Sequence, residues 1–256
     1  MMRKPMLMGN WKMYKTSDEA RKFAQALGQK SQMLKNAVSY VIFAPATALH
    51  VLKVMLPVQV KLGAQNVHDE VEGAFTGEIS VPMVADFGTQ FVLVGHSERR
   101  QYFAETDEWT GRKVRTVLNY GLTPVLCVGE NLAQRDGEQT IAVVTRQVLA
   151  GLALITTNEA ASIVIAYEPV WAIGSGKTAS AADAEVVCKA IRDVLASHFE
   201  AQVAEEVRIL YGGSVKPENI ASFVTQPNVD GGLVGGASLN PESFCQMAEA
   251  ILGVQQ

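Results

Sequence analysis

Long apolar runs, clustered cysteines and a strong excess of charge are absent from this sequence, and each absence excludes a class of protein. The three cysteines, Cys127, Cys188 and Cys245, lie far apart without C-x-x-C spacing. An odd, dispersed set favours reduced thiols over a disulfide framework and predicts a cytoplasmic protein. No stretch approaches the about 18 consecutive apolar residues of a membrane span. The start also lacks the apolar core of about 7–15 residues that a secretory signal needs, so we expect no membrane partner.

Charge is sparse and nearly balanced. Lys plus Arg total 22 and Asp plus Glu total 26, which gives a formal net charge of −4 at pH 7. Nucleic-acid-binding proteins usually carry a basic face or a pI above about 9, so we expect no nucleic-acid partner. The 48% hydrophobic fraction is typical of a globular chain. We expect one domain that spans residues 1–256.

The chain alternates between short apolar runs and segments with helical periodicity. The eight runs are residues 6–8, 40–43, 60–62, 91–94, 125–128, 163–167, 207–211 and 232–234. Several are apolar at consecutive positions, which is typical of strands buried on both faces. Between them, Thr16 and Glu19 have capping-box spacing before a helical pattern. Eight such alternations predict an α/β fold, a closed eight-stranded parallel (β/α)8 barrel.

The alternative is an open, doubly wound sheet that binds a nucleotide. Its usual fingerprint, G-x-G-x-x-G after the first strand, is absent. Residues 176–178 resemble the end of a P-loop, but that pattern requires glycine where the chain has Trp171. We therefore expect no nucleotide cofactor. Residues 170–177 have an apolar body and a Gly-Ser-Gly tip, and we interpret them as a lid that excludes water.

Polar residues follow several predicted strands, where (β/α)8 barrels carry their chemistry. Asn10 and Lys12 follow the first run, His96 and Glu98 the fourth, and Glu168 the sixth. Burial at a strand end is expected to raise the pKa of Glu168 and make it a stronger base. The predicted helix after His96 favours a neutral imidazole, and Lys12 is suited to stabilise an oxyanion. Ordinary surface roles for Glu168 and Lys12 remain open at this point.

Two glycine-rich turns follow the seventh and eighth runs, at residues 212–214 and 235–238. Glycine lets backbone N–H groups approach phosphate oxygens, and barrels often hold phosphate in these two loops. The sequence therefore indicates a phosphate site there.

One long connection, residues 66–78, has no clear period. It carries Val71 and Phe75 among polar residues, so it either folds onto its own barrel or buries Phe75 against a second subunit. His68 lies beside three acidic residues without the spacing of a metal site, and we expect no metal.

Seven segments resemble the triosephosphate isomerase family in order and spacing. They are residues 9–13 (GNWKM), 63–66 (GAQN), 73–78 (GAFTGE), 94–100 (VGHSERR), 166–174 (AYEPVWAIG), 211–215 (YGGSV) and 235–239 (GGASL). The resemblance covers essentially the whole chain. It implies a cofactor-independent isomerase of glycolysis and gluconeogenesis that interconverts dihydroxyacetone phosphate and glyceraldehyde 3-phosphate.

The resemblance also implies a role for each residue at the strand ends. Glu168 would move a proton between C1 and C2, and His96 would polarise the carbonyl as the neutral imidazole known for the family. Lys12 would supply positive charge, Asn10 would support it, and Glu98 would orient Lys12.

For the substrate phosphate, the resemblance implies backbone N–H groups of Gly174, Ser214, Gly235 and Gly236. It further implies a homodimer in which the loop of residues 66–78, around Phe75 and Thr76, lies beside the partner's active site. The chain departs from the family at residues 68–72, at Tyr14, where Asn is common, and at Ser175, where Thr is common.

Other phosphosugar barrel enzymes have less support. A Schiff-base aldolase needs a buried lysine on a strand, for which Lys61 is the only candidate in the eight runs. A metal-dependent epimerase needs His and Asp ligands at strand ends, and only His96 fits. A non-enzymatic phosphosugar-binding barrel is the remaining alternative.

Overall fold

Eight parallel strands form a closed barrel in chain order. The computed structural model describes residues 3–173 and 178–254. The strands are β1 (Met6–Asn10), β2 (Ser39–Ala44), β3 (Val60–Ala64), β4 (Phe91–Val94), β5 (Thr123–Val128), β6 (Val164–Tyr167), β7 (Arg208–Tyr211) and β8 (Gly231–Val234). Because β8 pairs with β1, the sheet has no free edge. The predicted eight-stranded (β/α)8 fold is confirmed.

Helices surround the barrel and connect its strands. They are α1 (Ser17–Gln29), α2 (Ala46–Met55), α3 (Val81–Asp86), α4 (Ser97–Tyr102), α5 (Asp107–Asn119), α6 (Leu132–Asp136), α7 (Thr140–Gly151), α8 (Thr157–Ala160), α9 (Ala181–His198), α10 (Ala201–Glu206), α11 (Ile220–Val224) and α12 (Pro241–Gly253). Short 3-10 turns span Ser31–Met33, Val170–Ala172 and Gly236–Leu239. The predicted capping box is present at the start of α1, where Thr16 and Glu19 exchange hydrogen bonds.

Alternate strand residues point into the barrel and out toward the helices, as the two-residue period of a strand requires. The interior is filled by Met6, Met8, Val41, Phe43, Phe91, Leu93, Val125, Cys127, Val164, Ala166, Leu210 and Leu233. Two positions beyond Met8 and Ala166, the same alternation directs Asn10 and Glu168 into the mouth of the barrel. The strand pattern thus positions the candidate site.

Two further predictions from the sequence were that the cysteines are reduced and that no segment spans a membrane. Cys127, Cys188 and Cys245 are all buried and unpaired. Among the helices in the described parts of the chain, none is both long and apolar enough to cross a membrane. The cytoplasmic location stays a prediction.

Candidate active site

A cavity of about 610 Å³ opens at the carboxyl ends of the strands. The predicted site residues that line it are Asn10, Lys12, His96, Glu98, Glu168, Ser214, Gly235 and Gly236. Gly174 and Ser175 lie outside the described residues. Residues from five strand ends, far apart in sequence, thus meet around one space, as the barrel topology requires.

Glu168 and His96 form a buried pair at the floor of the cavity. The Nε2 atom of His96 lies 2.9 Å from Oε1 of Glu168, and the backbone N–H of Ser97 donates to Oε2 at 2.8 Å. Only 2% of Glu168 and 5% of His96 are exposed. A Cβ atom at Gly129 would lie 1.7 Å from the Glu168 carbonyl oxygen. Glycine is therefore required at position 129 for the backbone of Glu168 to fit.

The expected rise in the pKa of Glu168 is wrong for this arrangement. Burial does raise the pKa, but His96, the Ser97 N–H and Lys12 stabilise the carboxylate more, so the pKa is lowered. Sequence reasoning captured the burial and missed the partner, because His96 and Glu168 meet only across the barrel.

His96 lies at the N-cap of α4, the predicted helix start. Its Nδ1 atom accepts the backbone N–H of Glu98 at 3.3 Å, which assigns the proton to Nε2. Nε2–H therefore points at Glu168 and into the cavity. Burial lowers the pKa of His96, but the Glu168 carboxylate beside it raises the pKa more, so the pKa is raised in this arrangement. The sequence predicted that the helix start would lower the pKa of His96. This lowering is not found while Glu168 is the direct partner of His96.

Lys12 is held in a strained backbone conformation above the pair. Its φ angle is 50°, a left-handed value that non-glycine residues seldom adopt. Its Nζ atom lies 2.7 Å from Oε1 of Glu98, and its backbone N–H donates to Oδ1 of Asn10 at 2.9 Å. The Gln65 amide donates to the Lys12 carbonyl oxygen at 2.7 Å. Sequence analysis gave Gln65 no role, although it lies in the GAQN segment of the resemblance.

A buried carboxylate behind His96 was also missed. Glu105 accepts the Gly95 N–H at 2.8 Å, Nε of Arg99 at 2.7 Å and Nζ of Lys113 at 2.8 Å. These groups satisfy the charge and fix the residue that precedes His96. No sequence signal separates Glu105 from a surface glutamate, because its burial depends on tertiary packing.

A second unpredicted carboxylate supports the segment that follows Glu168. Glu130 accepts the Tyr167 hydroxyl at 3.1 Å and the indole N–H of Trp171 at 2.8 Å. The first turn of the predicted lid, Val170–Ala172, is therefore tied to the loop after β5.

The long loop of residues 66–78, here called the arm, has no helix or strand. Its root folds onto the barrel, since Asp69 accepts hydrogen bonds from Trp109 and Arg112 of α5 at 2.7 Å each. Its tip does not, since Phe75 is 43% exposed. The root of the arm thus agrees with the first interpretation drawn from the sequence, whereas burial of Phe75 against a second subunit stays a prediction. Tyr14 is exposed at the rim of the main cavity.

The fold and the site define a class: a (β/α)8-barrel enzyme with a buried histidine–glutamate pair in a polar cavity bordered by glycine-rich turns. Comparison with known proteins is more specific. The family profile described as triosephosphate isomerase matches residues 5–251. The triosephosphate isomerase of Carboxydothermus hydrogenoformans is 51% identical over 244 residues, which cover 95% of this chain and 97% of that protein. The enzyme of Symbiobacterium thermophilum is 49% identical over 251 residues, 97% of each chain. The chain belongs to the triosephosphate isomerase family.

Proposed function

We propose that this chain interconverts dihydroxyacetone phosphate and glyceraldehyde 3-phosphate through an enediolate, as a step of glycolysis and gluconeogenesis. The observation that carries the proposal is the buried pair of Glu168 and His96, 2.9 Å apart, in a cavity that Lys12 also lines. Proton abstraction beside a carbonyl needs a desolvated base and an electrophile on the oxygen, and this pair provides both.

In the proposed reaction, Glu168 takes a proton from C1 of dihydroxyacetone phosphate while the C2 carbonyl becomes the enediolate. The Nε2–H of His96 and the charge of Lys12 stabilise the negative oxygen. The O1 proton moves to O2 by way of His96, and Glu168 returns its proton to C2. The product is the aldehyde, and every proton is accounted for without a further reactant.

Substrate binding would act against the two pKa shifts of this arrangement. A carbonyl oxygen that accepts the Nε2–H replaces Glu168 as the partner of His96. Each group then loses the other's contribution, so the pKa of His96 falls and that of Glu168 rises from their values in this arrangement. The Nδ1 hydrogen bond from the start of α4 also favours the neutral imidazole. The base therefore strengthens only when substrate is present.

For the phosphate group we propose the backbone N–H groups of Ser214, Gly235 and Gly236, with Gly174 of the undescribed segment as the fourth. A Cβ atom built at Gly236 meets no protein atom within 4 Å. Packing of the protein's own atoms thus gives no reason for glycine there, whereas a phosphate close to the backbone does.

We also propose a homodimer through the arm, with Phe75 and Thr76 beside the partner's active site. A second cavity of about 240 Å³ is lined by Met13, Phe103 and Lys12, among others. Met13 and Phe103 are 95% and 61% exposed, an apolar surface next to the catalytic residues. Such a surface is typical of a protein interface.

The experiment is turnover of glyceraldehyde 3-phosphate by the purified chain, with no metal or nucleotide added and with chelator present. Fast formation of dihydroxyacetone phosphate is expected. A folded protein that binds inorganic phosphate but gives no turnover would instead support the non-enzymatic barrel.

A further inference from the structure

The exposed tip of the arm rests on a histidine that the proposed reaction does not use. The ring of His68 lies 4.1 Å from the ring of Phe75, with an angle of 31° between their planes. The ring of Trp109 lies 6.1 Å from His68 in an edge-on arrangement. The His68 side chain is only 12% exposed, whereas Phe75, the outermost ring, is 43% exposed.

Hydrogen bonds fix His68 itself. Its backbone N–H donates to the Ile79 carbonyl oxygen at 2.8 Å, which joins the start of the arm to the residue that follows it. Its Nδ1 atom accepts the Glu70 N–H at 3.0 Å. The adjacent Asp69 accepts the indole N–H of Trp109 at 2.7 Å. The ring under Phe75 is therefore held by the arm on one side and by α5 on the other.

The Phe75 ring also lies close to the backbone of the arm at Gly73. Gly73 has a φ of 145°, and a Cβ atom there would lie 2.7 Å from Cε2 of Phe75. The Phe75 N–H donates to the Gly73 carbonyl oxygen at 3.0 Å. These contacts within the arm define the position of the Phe75 ring.

We propose that His68 is a positioning residue, whose ring sets the orientation in which Phe75 meets the second copy of this chain. The inference rests on the dimer proposed above. An arm that had to order on association would lose backbone and side-chain freedom, which weakens binding. His68 removes much of that cost because it supplies an aromatic face for Phe75 and an acceptor for Glu70 from one side chain.

Two variants separate these contributions in the full-length chain. His68→Asn keeps an acceptor near the Glu70 N–H and removes the ring. His68→Phe keeps a ring and removes the acceptor. Sedimentation equilibrium should show the dimer dissociation constant of His68→Asn raised on the order of tenfold to a hundredfold, because each dimer loses two aromatic pairs. The rise for His68→Phe should be smaller, because the exposed Glu70 N–H can bind water instead.

A matched control is His198→Asn. The His198 ring lies 4.7 Å from Phe199 at the end of α9, so this variant also removes a histidine–phenylalanine pair, but outside the arm. Its dissociation constant should equal that of the unmodified chain. Specific activity gives a second measurement: His68→Asn should lose activity at low protein concentration and regain it at high concentration, which a defect in folding would not do.

Other results would contradict either the role of His68 or the dimer on which it rests. An unchanged dissociation constant for His68→Asn, or a loss of activity independent of concentration, would overturn the role of His68. A larger effect of His68→Phe would overturn the contribution of the ring. If the unmodified chain sediments as a monomer, the dimer itself fails. If Phe75→Glu disrupts the dimer while His68→Asn does not, the dimer stands and only the inference about His68 fails.

Discussion

Each end of the barrel buries a carboxylate beside a cationic side chain or an imidazole. The two carboxylates differ in the number and kind of their hydrogen-bond partners. At the amino ends of the strands, Asp230 accepts Nε of Arg3 at 2.6 Å, Nη2 of Arg192 at 2.8 Å and the Ile209 N–H at 2.8 Å. At the carboxyl ends, Glu168 has His96 and one backbone N–H, and a large cavity lies beside it.

The difference shows how one fold separates stability from chemistry. Arg192 also donates to Asn228 and to two backbone carbonyl oxygens, so each nitrogen of its guanidinium already has a partner within the protein. A saturated buried pair holds the structure, and its loss leaves an uncompensated charge. Glu168 can exchange His96 for a substrate, because its present partners are few and all face the cavity.

The largest expected effect comes from Glu168→Gln. Because it removes the proposed base, kcat should fall by at least roughly 10²–10⁴, while the unfolding free energy changes little by comparison. Steady-state kinetics and urea unfolding test both parts. Near-normal turnover would refute the assignment of the base.

The matching change at the other end is Asp230→Asn, which also replaces a carboxylate by an amide. Its side chain is 6% exposed, and breaking a buried pair of this kind costs about 3–5 kcal/mol of stability. Turnover per folded molecule should stay normal. If Asp230→Asn lowered kcat without lowering the urea midpoint, the division between the two ends would be wrong.

A smaller effect should appear in the pH dependence of stability. The lowered pKa of Glu168 contributes stability above its unfolded value of about 4.3, and this is lost as pH falls through the folded pKa. The raised pKa of His96 contributes stability below its unfolded value of about 6.5, and this is lost as pH rises through the folded pKa. Both contributions to stability are therefore fully present at pH values between about 4.3 and about 6.5.

The difference in unfolding free energy between the unmodified chain and Glu168→Gln should therefore be larger at pH 5.5 than at pH 8.5. Urea titrations at the two pH values measure it. Asp230→Asn serves as the control for the general effect of losing a carboxylate. An equal difference at both pH values would show that the ion pair of Glu168 and His96 does not form in solution.

The smallest expected effect concerns one of two residues whose backbone φ angles lie in the left-handed region. Lys12, with φ of 50°, faces the cavity, whereas Ala104, with φ of 53°, lies in the exposed loop after α4. Ala104→Gly should raise stability by up to about 1 kcal/mol, because it relieves a Cβ clash, and leave kcat unchanged. Thermal unfolding measures the gain. A loss of stability would mean that the greater freedom of glycine in the unfolded chain outweighs the relief.

Much of the site was predictable because strand ends can be located from the sequence. Apolar runs such as the one before Glu168 must be buried on both faces, and a parallel barrel brings their ends together. The same reasoning found the turn at residues 235–238. It did not find Glu105 with Lys113 or Asp230 with Arg192, because a charged residue looks the same in sequence whether it is buried or exposed.

The sequence by itself determined the eight strands, the helix start at His96 and the set of residues that reach the mouth, because these depend on local periodicity and position. Only the tertiary structure decided which groups are partners. It placed His96 on Glu168 and so reversed the expected direction of both pKa shifts, and it placed His68 under Phe75. Interaction energies depend on distances across the barrel, and no local pattern in the chain contains those distances.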